Sequence, residues 1–200
     1  MKKLYFLLFT ILISALSFGQ TILSESMGTP SSTTLINSYT GWDESSPILY
    51  SGDGDVRTSL ASNGYTGASG SGNVFLTSTA GKYLQIDGID TSSYLVGDLQ
   101  LSFGYYTSSI GTQLVLEQSI NGTDWTAITF TQNATASWYL VTIADGQIPS
   151  SATLSLRFTQ PATAQMRLDD IKLVNVSSSC SLSLGTETAI CDASTLALDD

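Results

Sequence analysis

The sequence predicts an all-β protein, an antiparallel sandwich of two packed sheets, on three observations. From Gln20 onward, short runs rich in Thr, Val, Ile, Leu, Tyr and Phe alternate with Gly, Ser and Asn turns. Several runs alternate strictly: Leu99, Leu101 and Phe103 fall on one side, Gln100 and Ser102 on the other. Leu114 and Leu116 share a face in the same way, as do Leu154, Leu156 and Phe158. A period of two with one apolar face belongs to an antiparallel sheet packed on a partner sheet. Third, no stretch after Gln20 carries a helical period. A chain of 200 residues suits one domain and can bury ~70% of its unfolded surface, enough for a core.

The elements follow in chain order. Lys2 and Lys3, the apolar run Leu4–Leu16 and the small residues Ser17 and Gly19 make the three-part plan of a secretory signal peptide. Cleavage is expected after Gly19 or Gln20, which gives residues 1–20 as the signal and a secreted protein. The run is too short to cross a bilayer, which needs about 20 apolar residues, and no cysteine follows it for lipid attachment. Loss of both lysines leaves five basic against seventeen acidic residues, a net charge of −12. Strands are expected at Thr21–Ser26, Pro47–Tyr50, Asn73–Ser78, Tyr83–Asp87 and Asp98–Thr107. Five more are expected at Thr112–Ile120, Trp125–Thr131, Trp138–Ala144, Thr153–Gln160 and Ala164–Val176. Residues 41–72 are dense in Gly and Ser and read as long connections around one or two short strands, covering one end of the sandwich. The domain is expected to close at Val176. Residues 177–200 read as a linker and the start of a truncated second β module, so further domains of a longer chain are expected partners.

Composition excludes several functions. With no histidine, Ser-His-Asp and Cys-His chemistry and the commonest zinc ligand are absent. An acidic chain lacks the basic footprint of a nucleic-acid binder. A glycosidase would need only two carboxylates, about 5 to 10 Å apart in a cleft. The one adjacent pair, Asp169 and Asp170, lies on a strand, where neighbouring side chains point to opposite faces unless a bulge turns one. No catalytic residue is therefore expected.

Several phrases, in order, carry a resemblance: ILSESMGTP, SGDGDVRTS, GYTGASGSGNVFLT, LQIDGIDTSSY, LQLSFGYYTSS, LEQSINGTDWTAITF and LSLRFTQPATAQMRLDDIKLV. Together they resemble a secreted jelly-roll module frequent in Bacteroidetes. The closing strand is similar to those of galactose-binding-like and cleaved-adhesin jelly rolls. The resemblance spans residues 22 to about 176. It implies an antiparallel jelly-roll β-sandwich whose last strand pairs beside the first. It also implies a non-catalytic accessory or adhesive module of a type IX secretion cargo, binding glycan or a cell-surface component or spacing a larger protein. The alternative is the N-terminal part of a secreted hydrolase whose catalytic domain lies beyond residue 200. In such jelly rolls an Asp on the closing strand often holds a structural Ca²⁺ beside the first strand, which points to Asp170 with Glu25. Calcium takes six to eight oxygens, so backbone carbonyls would complete the shell. The competing reading has one of the two aspartates cap a turn or pair with Arg167 or Lys172.

Other candidates come from local chemistry. Trp42 sits in a polar stretch and is the expected exposed stacking residue for a sugar ring, because rigid amphipathic aromatics serve that contact well. Trp138-Tyr139 are expected in the core, and one of Tyr105-Tyr106 must face outward. Asp53-Gly54-Asp55 is a fragment of a calcium loop without the rest of the motif, and reads as a turn with a positive-φ glycine beside an Asp55–Arg57 pair. Asn121-Gly122 reads as a two-residue hairpin turn, with Trp125 packing behind it. An oxidising compartment permits a disulfide between Cys180 and Cys191, opposite each other if Gly185-Thr186 form a two-residue turn. The alternative is that each waits for a partner in a later domain.

Overall fold

The computed structural model describes residues 19–109, 114–132 and 136–176. The signal peptide (apart from its last two residues), the second module and the Cys180–Cys191 pair lie outside the described residues. Those described from Gln20 to Asn175 form one compact unit. It is an all-β jelly-roll sandwich of two antiparallel sheets. Twelve strands are described, β1 (Gln20–Glu25), β2 (Thr34–Leu35), β3 (Leu49–Gly52), β4 (Asp55–Arg57), β5 (Asn73–Leu76) and β6 (Tyr83–Ile89) coming first. They continue with β7 (Leu99–Thr107), β8 (Val115–Ser119), β9 (Thr126–Ile128), β10 (Tyr139–Thr142), β11 (Leu154–Thr159) and β12 (Met166–Asn175). Among the described residues no helix is long and apolar enough to cross a membrane.

Because alternation marks them, nine of the ten expected strands start within two residues of the expected positions, and β8 starts three residues late. β2 was not expected, and β4 falls in the 41–72 stretch, where one or two short strands were expected. Two or three residues are too few to show a period, and they form only because β5 offers β4 a free edge and β4 then offers one to β2.

The seven-stranded sheet runs β10-β7-β12-β5-β4-β2, with β1 also on β12. β12 lies along β7 for its whole length. Its other edge is shared, with Met166–Leu168 pairing to β5 and Ile171–Asn175 to β1. The five-stranded sheet runs β3-β6-β11-β8-β9. The alternating leucines meet between the sheets as expected: Leu99, Leu101 and Phe103 from β7 face Leu154, Leu156 and Phe158 from β11, all buried. Phe103 takes Phe130 and Phe158 edge-on, at 5.6 and 5.2 Å between centroids. Such pairs add about 0.5–1.5 kcal/mol to their burial.

Residues 58–72 form a strap across the outer face of the seven-stranded sheet, where the sequence suggested a covering over one end of the sandwich. Beneath the strap, Arg57 and Arg167 both stack on Phe75, at 4.0 and 4.5 Å from the ring centre. Trp138 packs on Tyr106 and donates its indole N–H to the Leu60 carbonyl. Tyr106 is thus the outward tyrosine, and Tyr105 is fully buried. Trp138 is buried under the strap rather than in the inter-sheet core where the sequence suggested it. The Asp55–Arg57 pair forms at 2.5 Å. Gly54 has no positive φ; it is needed because a Cβ there would come within 2.8 Å of the Phe75 carbonyl. The Asn121-Gly122 turn is also longer than expected. The β8–β9 ladder ends at Gln118–Thr126, and Asn121 organises the connection by accepting the N–H groups of Thr123 and Asp124.

Candidate functional site

The outer face of the five-stranded sheet is open. Registration across four strands aligns Ser51, Gln85, Arg157 and Glu117 in one row, with Ala127 at the end. Tyr83, Thr159 and Val115 form the next row, and Leu49 lies opposite Asp87 on the other side. These are the positions between the buried Leu84, Ile86, Leu116, Leu156 and Phe158, so the pleat that fills the core also sets them side by side at ~4.8 Å. Arg157 donates from Nε and Nη2 to one Glu117 oxygen, at 3.1 and 2.9 Å, and lies 3.9 Å over the Trp125 ring. Gln85 donates its amide to both Asp87 oxygens at 3.0 Å. Tyr83, Gln85, Glu117, Arg157 and Thr159 line a groove of about 390 Å³. The surface is polar, ordered by its own hydrogen bonds, and bounded by Tyr83 and Trp125.

Trp42 does not stand free. It stacks on Tyr50 (4.1 Å, 8° between planes) and meets Tyr39 edge-on at 5.1 Å. One ring face is therefore used within the protein, and the residue packs half-buried against the core.

Glu25 and Asp170 do approach each other, and both line a cleft of about 300 Å³. Their chemistry differs from the expectation. Glu25 is 1% exposed. Its carboxylate accepts N–H groups from Met27 (2.7 Å), Asp43 (3.0 Å) and Glu44 (3.3 Å) and the Tyr50 hydroxyl (2.7 Å). Burial pushes its pKa up against these bonds, and burial with the Glu25 charge pushes the Tyr50 phenol up, so Tyr50 stays a donor. A hard cation needs oxygen lone pairs, and those of Glu25 are already taken by donors. The residues present do not fit a calcium ion shared by Glu25 and Asp170; Glu25 instead fastens the 43–50 segment to β1.

The closing strand holds the larger surprise. A bulge falls between Asp169 and Lys172, with Asp170 at φ +49°. Left-handed backbone is tolerated by Asp better than by most residues. It turns both carboxylates toward the strap, where the regular strand assumed from sequence would have parted them. Asp170 accepts from the Tyr65 hydroxyl (2.5 Å) and the Ser69 N–H (3.1 Å), and Asp169 accepts from the Ser69 hydroxyl (3.1 Å) and the Asp170 N–H (2.8 Å). Neither aspartate pairs with Arg167 or Lys172. Arg167 instead donates to Asn73 and to the Ser59 carbonyl. Asp169 is fully buried, and burial, with the Asp170 charge adding to it, raises its pKa to about 7. The pair latches the strap; Asp169 is sealed beneath it, and Asp170 is half-buried at the wall of the cleft.

The row on the five-stranded face was missed because the strand reading attended to the apolar positions. Its signal was there in Tyr83, Gln85 and Asp87, alternating with Leu84 and Ile86.

Fold and surface together define a jelly-roll sandwich with one open, polar-aromatic sheet face. No protein-family model matches the chain, and no curated protein matches its sequence. Solved structures similar to it include a family 30 carbohydrate-binding module, at 15% identity and TM-score 0.47, covering 86% of this chain and 94% of that one. Another is the family 30 module of a cellulosomal cellulase from Clostridium thermocellum, at 15% identity and TM-score 0.46, covering 80% and 99%. A third is a xylan-binding family 22 module from Paenibacillus barcinonensis, at 16% identity and TM-score 0.43, covering 80% and 97%.

Proposed function

We propose that this protein is a secreted, non-catalytic module that binds carbohydrate on the outer face of its five-stranded sheet. The observation that carries the reading is the ordered row Gln85, Arg157 and Glu117 between Tyr83 and Trp125. Arg157 spends Nε and Nη2 on Glu117, so its remaining amino group and the second Glu117 oxygen are free for sugar hydroxyls. Gln85 spends its amide N–H groups on Asp87 and keeps its carbonyl as an acceptor. Tyr83 supplies an apolar edge with a polar tip. Because these side chains already hold one another, little rotamer freedom is lost on binding. A hydrolytic reading lacks its acid among the described residues, since both carboxyls with raised pKa are buried, Asp169 beneath the strap and Glu25 among its own donors.

Affinity electrophoresis of the purified protein in gels containing soluble β-glucan, xylan or galactan tests this. Retardation by at least one polymer is expected, weakened roughly five- to thirtyfold by Arg157→Ala or Tyr83→Ala, as loss of one ligand hydrogen bond or stacking contact of about 1–2 kcal/mol requires. Equal retardation of wild type and both variants, with melting temperatures unchanged, would refute the assignment.

A further inference from the structure

We propose a second sugar site on the opposite sheet, a blind-ended cleft that takes the terminal, uncharged residue of a glycan chain. Beyond the strap, the outer face of the seven-stranded sheet carries a polar row in strict register: Ser24 on β1, Lys172 on β12, Ser102 on β7 and Thr142 on β10. The cleft of about 300 Å³ opens over this row, at the lower end of ligand-pocket sizes and enough for a single pyranose. Tyr65, Thr66 and Gly67 from the strap line it on one side, and Leu140, paired with Gly104 beneath Tyr65, lines it on the β10 side. Leu140 is 42% exposed and also lines a larger cleft, about 690 Å³, along β10. A chain entering along β10 therefore ends against the strap.

The polar groups define the ligand. Lys172 is exposed and belongs to neither ion pair found among the described residues. The donors on Asp170 from the strap all fall on Oδ2, which leaves Oδ1 as an acceptor. Two carboxyl groups, Glu25 and Asp170, disfavour a uronate, and Lys172 beside them disfavours the ammonium of an amino sugar. A pair of neighbouring hydroxyls satisfies both groups, one donating to Asp170 and one accepting from Lys172. The serine hydroxyls supply secondary contacts, and Leu140 meets the apolar face of the ring. Glu25 forms part of the wall but has no lone pair to offer. The site is independent of the five-stranded face, and occupation of both would let one module join two glycan chains.

The test is an amide chemical-shift titration of the full protein with xylotriose, galactotriose and glucuronate, each separately, repeated in Arg157→Ala and in the exposed-site variants Lys172→Ala and Leu140→Ser. Shifts at Ser24, Ser102 and Leu140 are expected. They should persist in Arg157→Ala, and Lys172→Ala or Leu140→Ser should weaken the response about tenfold. Shifts confined to Tyr83, Gln85 and Arg157 would overturn the cleft and leave the first site standing; shifts confined to the cleft would do the reverse. A response to glucuronate alone would overturn the uncharged class, and no response to any sugar would overturn both sites.

Discussion

Replacing Asp169 by asparagine should make the protein more stable at neutral pH and remove part of its pH dependence. The wild-type carboxyl is fully buried, with its pKa raised from 3.8 to about 7, first by burial and then by the Asp170 charge. Between those values the unfolded chain has released this proton while the folded chain still holds it. The folded state then binds more protons, so stability falls as pH rises. The contribution is complete below about pH 4, declines through the window, and is fully lost above about pH 7. A shift of roughly 3 pH units at 1.36 kcal/mol each is worth about 4 kcal/mol. For a domain of this size that is on the order of 8–16 °C in melting temperature. Asparagine keeps both local bonds, since its carbonyl can accept the Asp170 N–H and its amide can donate to the Ser69 hydroxyl. Calorimetric melts of wild type and Asp169→Asn at pH 4, 6 and 8 measure the effect as a difference, which cancels groups common to both. The variant should match wild type at pH 4 and exceed it by several degrees at pH 8. A difference constant across that range would show that Asp169 does not titrate as its burial demands.

Three further outcomes follow from the same contacts. Glu25→Ala strands three backbone N–H groups and the Tyr50 hydroxyl, and should cost about 3–5 kcal/mol in a denaturant titration, with loss of protection from amide exchange at residues 43–45. Because Glu25 is occupied by donors, melts in excess calcium and in chelator should superimpose; a rise of several degrees in calcium would restore the cation between Glu25 and Asp170. Gly104→Ala would drive its methyl into the Tyr65 hydroxyl. It should break the Tyr65–Asp170 bond, cost roughly 1–3 kcal/mol and loosen the strap, read as faster proteolysis within residues 58–72; unchanged proteolysis would count against the latch.

The sequence alone determined the fold class and most of the strands, because burial on one face imposes a period of two that survives any change of neighbours. It also determined which sides of β7, β8 and β11 enter the core, and the chemistry ruled out by the lack of histidine. The sugar-facing row was half legible: Tyr83, Gln85 and Asp87 alternate on their own strand, but Arg157 and Glu117 join them only through register across β6, β11 and β8. Trp42 was chosen for its polar neighbours in sequence, and only packing shows that Tyr50 takes one of its faces. The fate of the acids was decided by tertiary structure. One residue of bulge on β12 turns Asp169 and Asp170 to the same side, and the 43–50 segment surrounds Glu25 with N–H groups where a cation was expected. A carboxylate serves a cation, a strap or a sugar according to what faces it, and what faces it here comes from segments tens of residues away in the chain.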